Sequence, residues 1–190
     1  MYSIKENSNY LYEIKKSKFY VNLYRIDTVN DVDKYLNEVK SKYKDATHYC
    51  YAYVLNGYKK VSDDGEPSGT AGIPILEVLD KKNLNYILCV VTRYFGGIKL
   101  GAGGLVRAYS NSVVEAINNN QIVELTEGLE IELTATYDNK KDIEYIFKEY
   151  IKEVKYDEKI TYILRINKND LEKLSNYDYK IISEILIEKD

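Results

Sequence analysis

Residues 91–110, "VTRYFGGIKLGAGGLVRAYS", pass from an apolar strand pattern to an apolar helix pattern across five glycines in nine positions: Gly96, Gly97, Gly101, Gly103 and Gly104. Three more, Gly65, Gly69 and Gly72, sit in the preceding "SDDGEPSGTAG" (62–72), so eight of the chain's ten glycines fall in two segments. A glycine-rich turn from strand to helix admits positive φ and leaves several amide N–H groups unpaired. The helix start adds partial positive charge, and together these features make a seat for an anion. Arg93 ends the strand, Lys99 lies in the loop, and Arg107 stands about one turn into the helix. The candidate anion- and nucleic-acid-binding set is therefore Arg93, Gly96, Gly97, Lys99, Gly101, Gly103, Gly104 and Arg107. It is no nucleotide fingerprint: GxGxxG needs glycine at 106, where Val106 stands, and GxxxxGK[ST] is absent. The residues leave a second reading open, in which the glycines only let a loop cross a helix while Arg93 and Arg107 pair with carboxylates.

The acidic side of the same putting-together is Asp63, Asp64 and Glu66, in a turn built by Gly65 and Pro67. Three roles suit them: capping the helix after Thr70, pairing with Arg93 and Arg107 across a shared groove, or holding a divalent cation. The calcium-loop pattern does not fit, and no metal is assigned. His48 is the only histidine. It shares a strand face with Cys50 about 6.5–7 Å away, too far for a base–thiol hydrogen bond. It is read as a hydrogen-bonded structural residue and a possible accessory to the site. HExxH, GxSxG and CxxC are all absent, so neither a catalytic residue nor a cofactor is assigned.

Working outward, "YILCVVTRY" (86–94) is almost continuously apolar, the pattern of a central strand covered on both sides. Leu105, Ala108, Tyr109, Ser112, Val113, Ala116 and Ile117 mark an amphipathic helix after it. "THYCYAYVL" (47–55) alternates, with Thr47, Tyr49, Tyr51, Tyr53 and Leu55 on one face and His48, Cys50, Ala52 and Val54 on the other. Residues 10–26 read as a strand or hairpin. Thr28 and Asp31 form a capping box before a stripe of Val29, Val32, Leu36, Val39 and Tyr43. Gly128 divides the chain into residues 1–127 and 128–190. The second part has the β-α-β-β-α-β order of the ferredoxin-like split βαβ.

The 190 residues carry a net charge of −3, with 16 basic against 15 acidic residues over 1–127 and 11 against 15 over 128–190. Neither part is a generic basic coat for DNA, so a polyanion must be held by a local patch. No apolar run approaches the roughly 20 residues that span a bilayer. "MYSIKENSNY" lacks the apolar core of a signal peptide. Cys50 and Cys89, in apolar runs, are expected to be buried reduced thiols. The expected address is cytoplasmic, without a membrane partner.

"KKSKF", "DATHYCYAYVL", "SDDGEPSGTAGIPIL" and "VTRYFGGIKLGAGGLVRAY" resemble, in that order and at compatible spacings, the YigZ/IMPACT family. The likeness is strongest over residues 10–120. The resemblance implies a first domain like the βαβ fold of a small-subunit ribosomal protein domain and of elongation factor G domain four. It also implies a small ferredoxin-like second domain. The expected fold class is thus α+β, two two-layer α/β sandwich domains. By the same resemblance the expected function is non-enzymatic: RNA or ribosome association with a role in regulating translation. Lys15, Lys16 and Lys18 would extend the patch. The Tyr49, Tyr51 and Tyr53 rings would stack bases if their face is open, or pack against a neighbour if it is not. Two alternatives stand beside it. One is an enzyme on a small phosphorylated or carboxylated ligand, with Asp64 or Glu66 as acid–base; the other is a protein–protein adaptor.

Overall fold

The computed structural model describes residues 1–189, in two compact units, Met1–Val123 and Glu124 onward. The C-terminal residue of the expected second domain, Asp190, lies outside the described residues. In chain order the first unit holds β1 (Tyr2–Ile4), β2 (Ser8–Ile14), β3 (Ser17–Arg25), α1 (Val29–Lys42), β4 (His48–Leu55), β5 (Tyr58–Ser62), α2 (Gly72–Lys81), β6 (Ile87–Tyr94) and α3 (Ala102–Asn118). Its main sheet is antiparallel, in the order β2-β3-β6-β4-β5. β6 is central, as its apolar run from Ile87 to Val91 suits.

Alternation along these strands sends side chains to two different helix layers. Phe19, Val21, Cys50, Ala52, Cys89 and Val91 face α2 and α3, packing with Ile75, Leu79, Tyr109 and Val113. Tyr24, Tyr53, Leu88 and Val90 face α1, through Val32 and Val39. The first unit therefore has helices on both sheet faces, which corrects the two-layer expectation. Tyr49, Tyr51 and Tyr53 lie on the α1 side within this packing. Tyr53 is buried there, and Tyr49 and Tyr51 are half-buried against the same layer, so the face is largely packed and not an open stacking platform. The Thr28 capping box forms as expected, with the Thr28 amide donating to Asp31 Oδ2 at 2.8 Å. Val29, 53% exposed, drops out of the stripe. All seven stripe residues of α3 are buried. β5 was not expected. It folds back on β4 through Asn56–Gly57, a dipeptide suited to a tight hairpin turn.

The second unit contains most of β7 (Ile122–Ala135), then α4 (Lys140–Ile146), β8 (Ile151–Tyr156), β9 (Ile160–Asn167), a 3-10 segment (Lys168–Leu174) and β10 (Asp178–Glu188). Its antiparallel order, β10-β7-β9-β8, is that of the split βαβ. Ile131, Leu133, Ile160, Tyr162 and Leu164 make one core with Ile143 and Phe147 of the α4 region and Leu174 of the 3-10 segment. Gly128, the dividing residue, lies within a strand. It sits inside β7, where a Cβ would come within 2.9 Å of Ile187 and 3.0 Å of the Ile166 carbonyl. The unit boundary falls four residues earlier, between Val123 and Glu124. No helix among the described residues is long and apolar enough to cross a membrane.

Candidate anion and nucleic-acid interface

The acidic loop is held by the β4–β5 hairpin, which delivers Asp63 to the start of α2. The Asp63 carboxylate accepts from three amides: Gly69 at 2.8 Å, Gly72 at 2.8 Å and Ala71 at 3.1 Å. Burial works against its charge, but these amides outweigh it and hold Asp63 below the usual carboxylate range. Asp64 Oδ2 takes the Tyr49 amide at 2.6 Å. The Asp64 carbonyl lies 2.8 Å from His48 Nδ1. A carbonyl can only accept, so Nδ1 is the nitrogen that carries a proton here. Asp63 is thus a helix cap, and His48 is engaged structurally, as its solitary place in the sequence suggested. Among the described residues, no group of three or more His, Cys, Asp or Glu is arranged to hold a metal ion.

Glu66 and Arg93 meet across the interior. Arg93 Nη1 lies 2.6 Å from Glu66 Oε1, and the two residues are only 5% and 8% exposed. Sheet register sets this up: Arg93 is the cross-strand partner of both His48 and Phe19. Its guanidinium stands over the Phe19 and Phe95 rings, 5.6 and 5.7 Å from their centroids. Tyr109 of α3 donates to Glu66 Oε1 at 2.8 Å, and His48 Nε2 lies 3.7 Å from Glu66 Oε2. Cys50 Sγ is 2.9 Å from the Asp63 carbonyl and 3.3 Å from Tyr109 Oη; its one proton can serve only one of them. Burial raises the Cys50 thiol to about 12, against a smaller lowering from the Tyr109 contact. Burial also raises the Tyr109 hydroxyl and the Cys89 thiol. Both cysteines are free and buried. Arg93 is therefore an internal ion pair and not an exposed cation, whereas its glycine-loop neighbours stay outside.

Those neighbours surround the start of α3. Gly101 occupies the cap position at φ 73°, a left-handed value that a Cβ would strain, and no side chain caps the helix. The first turn carries no acid. Lys99 and Arg107 are exposed, and neither side chain forms a hydrogen bond or ion pair among the described residues. A Cβ on Gly103 would lie 3.8 Å from Arg107 Nη1, so the guanidinium folds back toward the first turn. Gly96 serves a close approach: a Cβ there would overlap the Lys16 carbonyl and the Ser17 amide. That contact sets the exposed Lys15–Lys16 turn against the glycine loop. Lys18 pairs with Glu13 at 3.6 Å. Gly97 and Gly104 complete the loop and first turn. A cavity of about 300 Å³ opens here, lined by His48, Glu66, Arg93, Phe95, Lys99 and Gly101 among others.

Residues 15–117, from the Lys15–Lys16 turn to the last turn of α3, match the Impact N-terminal domain family. The chain belongs to the IMPACT family. The IMPACT family member YvyE of Bacillus subtilis is 38% identical over 182 residues, covering 93% of this chain and 84% of its own. An IMPACT family member of Haemophilus influenzae is 34% identical, covering 86% and 84% of the two chains. The crystal structure of a hypothetical protein superposes with a TM-score of 0.67 at 28% identity, covering 96% of this chain and 97% of that one. The matched family segment contains both glycine-rich loops. Sequence reading missed the contacts of Tyr109 and Cys50 with the ion-pair network. Tyr109 fell on an apolar helix stripe, and nothing local announces that a phenol there reaches Glu66.

Proposed function

We propose that this IMPACT-family protein is a non-enzymatic RNA- or ribosome-associated factor in the regulation of translation, gripping phosphate at the start of α3. One observation supports this most strongly. The uncapped, acid-free start of a 17-residue helix is flanked by Lys99 and Arg107, neither of which is neutralised internally. Backbone amides, the helix dipole and two free cations favour an anion there. The Lys15–Lys16 turn supplies further positive charge along the same edge, while the Glu66–Arg93 pair adds none to it.

Filter binding of single-stranded RNA across a salt series tests the reading. With about four phosphate contacts, log affinity falls against log salt with a slope near −3. Arg107→Ala and Lys99→Ala each make that slope shallower by about one. A response indifferent to salt and to both substitutions contradicts the proposal.

A further inference from the structure

We infer that the tyrosine cluster at the end of α1, Tyr20, Tyr43 and Tyr94, stacks the unpaired bases of a single-stranded RNA. This rests on the RNA-associated reading above and deepens it, naming a base-stacking surface that the start of α3 does not include. Alternation and register place the cluster. Tyr20 and Tyr94 share the α1 side of the sheet with Tyr24, Leu88 and Val90, toward the strand ends where the helix closes on Tyr43. The Tyr20 ring lies 4.8 Å from that of Tyr43 and 5.8 Å from that of Tyr94, centroid to centroid, inclined at 36° and 82°. All three residues are half-buried, and Leu11, the cross-strand partner of Tyr20, is 42% exposed. The cluster therefore keeps part of its surface open. Two of the rings are pinned by their hydroxyls: Tyr94 donates to the Lys44 carbonyl at 2.8 Å and Tyr43 to Asn22 Oδ1 at 3.3 Å. Rings already held in place lose little freedom when a base is laid on them.

Charge selects the occupant. Lys42 Nζ stands 5.1 Å from the Tyr43 centroid, and Lys40 Nζ 6.0 Å from that of Tyr49. Lys16, Lys40, Lys42 and Lys44 are exposed, and none of their side chains forms a hydrogen bond or ion pair among the described residues. Two acids stand close by: Asp45, whose charge reaches Tyr94, and Glu13, which Lys18 holds at 3.6 Å. The cations thus outnumber the acids here, although the whole chain carries −3. Rings interleaved with unpaired cations complement a polyanion that carries flat rings of its own. A duplex offers phosphates but keeps its bases inside, so the cluster fits a single strand.

The test is fluorescence anisotropy of the full chain with a short labelled RNA and with the same ribose–phosphate chain lacking its bases. The base-bearing strand should bind at least about fivefold tighter than the abasic strand of equal charge. Tyr20→Leu should erase most of that difference, whereas Tyr20→Phe, which keeps the ring, should preserve it. The Tyr20 hydroxyl makes no hydrogen bond among the described residues, so the Phe variant removes the ring's polar tip alone. Comparing the two strands on the unaltered protein needs no variant and decides the matter even if Tyr20→Leu fails to fold. Equal affinity for the two strands overturns this inference and leaves phosphate binding at α3 standing. A base preference that survives Tyr20→Leu in a folded variant places the stacking elsewhere and overturns it. A dimer that Tyr20→Leu disrupts, together with base-independent RNA binding, assigns the cluster to a second copy of this chain and likewise overturns it. Failure to bind either strand overturns both readings.

Discussion

The two glycine-rich loops of the first unit each deliver the chain to a helix start, and they differ in what meets the amides. At α2 the protein supplies its own anion, Asp63, which accepts from Gly69, Ala71 and Gly72. At α3 no such residue stands among the described residues, and the nearby free charges, Lys99 and Arg107, are positive. The first loop closes on itself and anchors architecture. The second is left with donors facing outward. Glycine content alone does not separate an anion seat from a tight crossing; the presence or absence of an internal carboxylate does.

Breaking the internal side of this contrast should have the largest effect. Arg93→Ala strands the buried Glu66 carboxylate and should lower unfolding free energy by about 3–5 kcal/mol in urea denaturation. A loss below about 1 kcal/mol would mean that solvent already shares the pair. Next comes Gly96→Ala. Its Cβ would collide with the backbone of the Lys16 turn, so the turn must shift, at a cost of about 1–3 kcal/mol. Weaker RNA binding should accompany it if that turn belongs to the phosphate edge. Asp63→Ala should cost about 0.5–2 kcal/mol near neutral pH, as a lost helix cap. Because the folded carboxyl is depressed, its contribution is present above the unfolded value near 3.8 and is lost as pH falls through the folded value. The variant's stability curve should therefore be flatter on the acid side, and parallel curves would contradict the capping role.

Legibility in the sequence followed the range of the interactions. The α3 stripe and the Thr28–Asp31 box are local periodicities, and both appear as read. The Asn56–Gly57 hairpin carries an equally local signal, two residues with positive φ between strands. Whether Glu66 would meet Arg93 stayed open because it depends on β4–β6 register and on a loop returning through the β5 hairpin. The two-layer expectation comes from the family resemblance, whereas the apolar pattern of 86–94 already points to a strand covered on both faces, as α1 on one side and α2 and α3 on the other cover it. Gly128 marks the division of the chain only to within four residues, because this glycine is pressed between neighbouring strands while the units part between Val123 and Glu124.

The contrast between the two loops can be removed with one substitution. Gly103→Glu places a carboxylate in the first turn of α3, where a Cβ would meet Arg107 Nη1 at an ordinary 3.8 Å. The account predicts a more stable protein, by about 0.5–2 kcal/mol from helix propensity and dipole together. In the same titration at low salt, its RNA affinity should fall at least about tenfold. RNA affinity equal to that of the unaltered protein would contradict phosphate binding at this helix start.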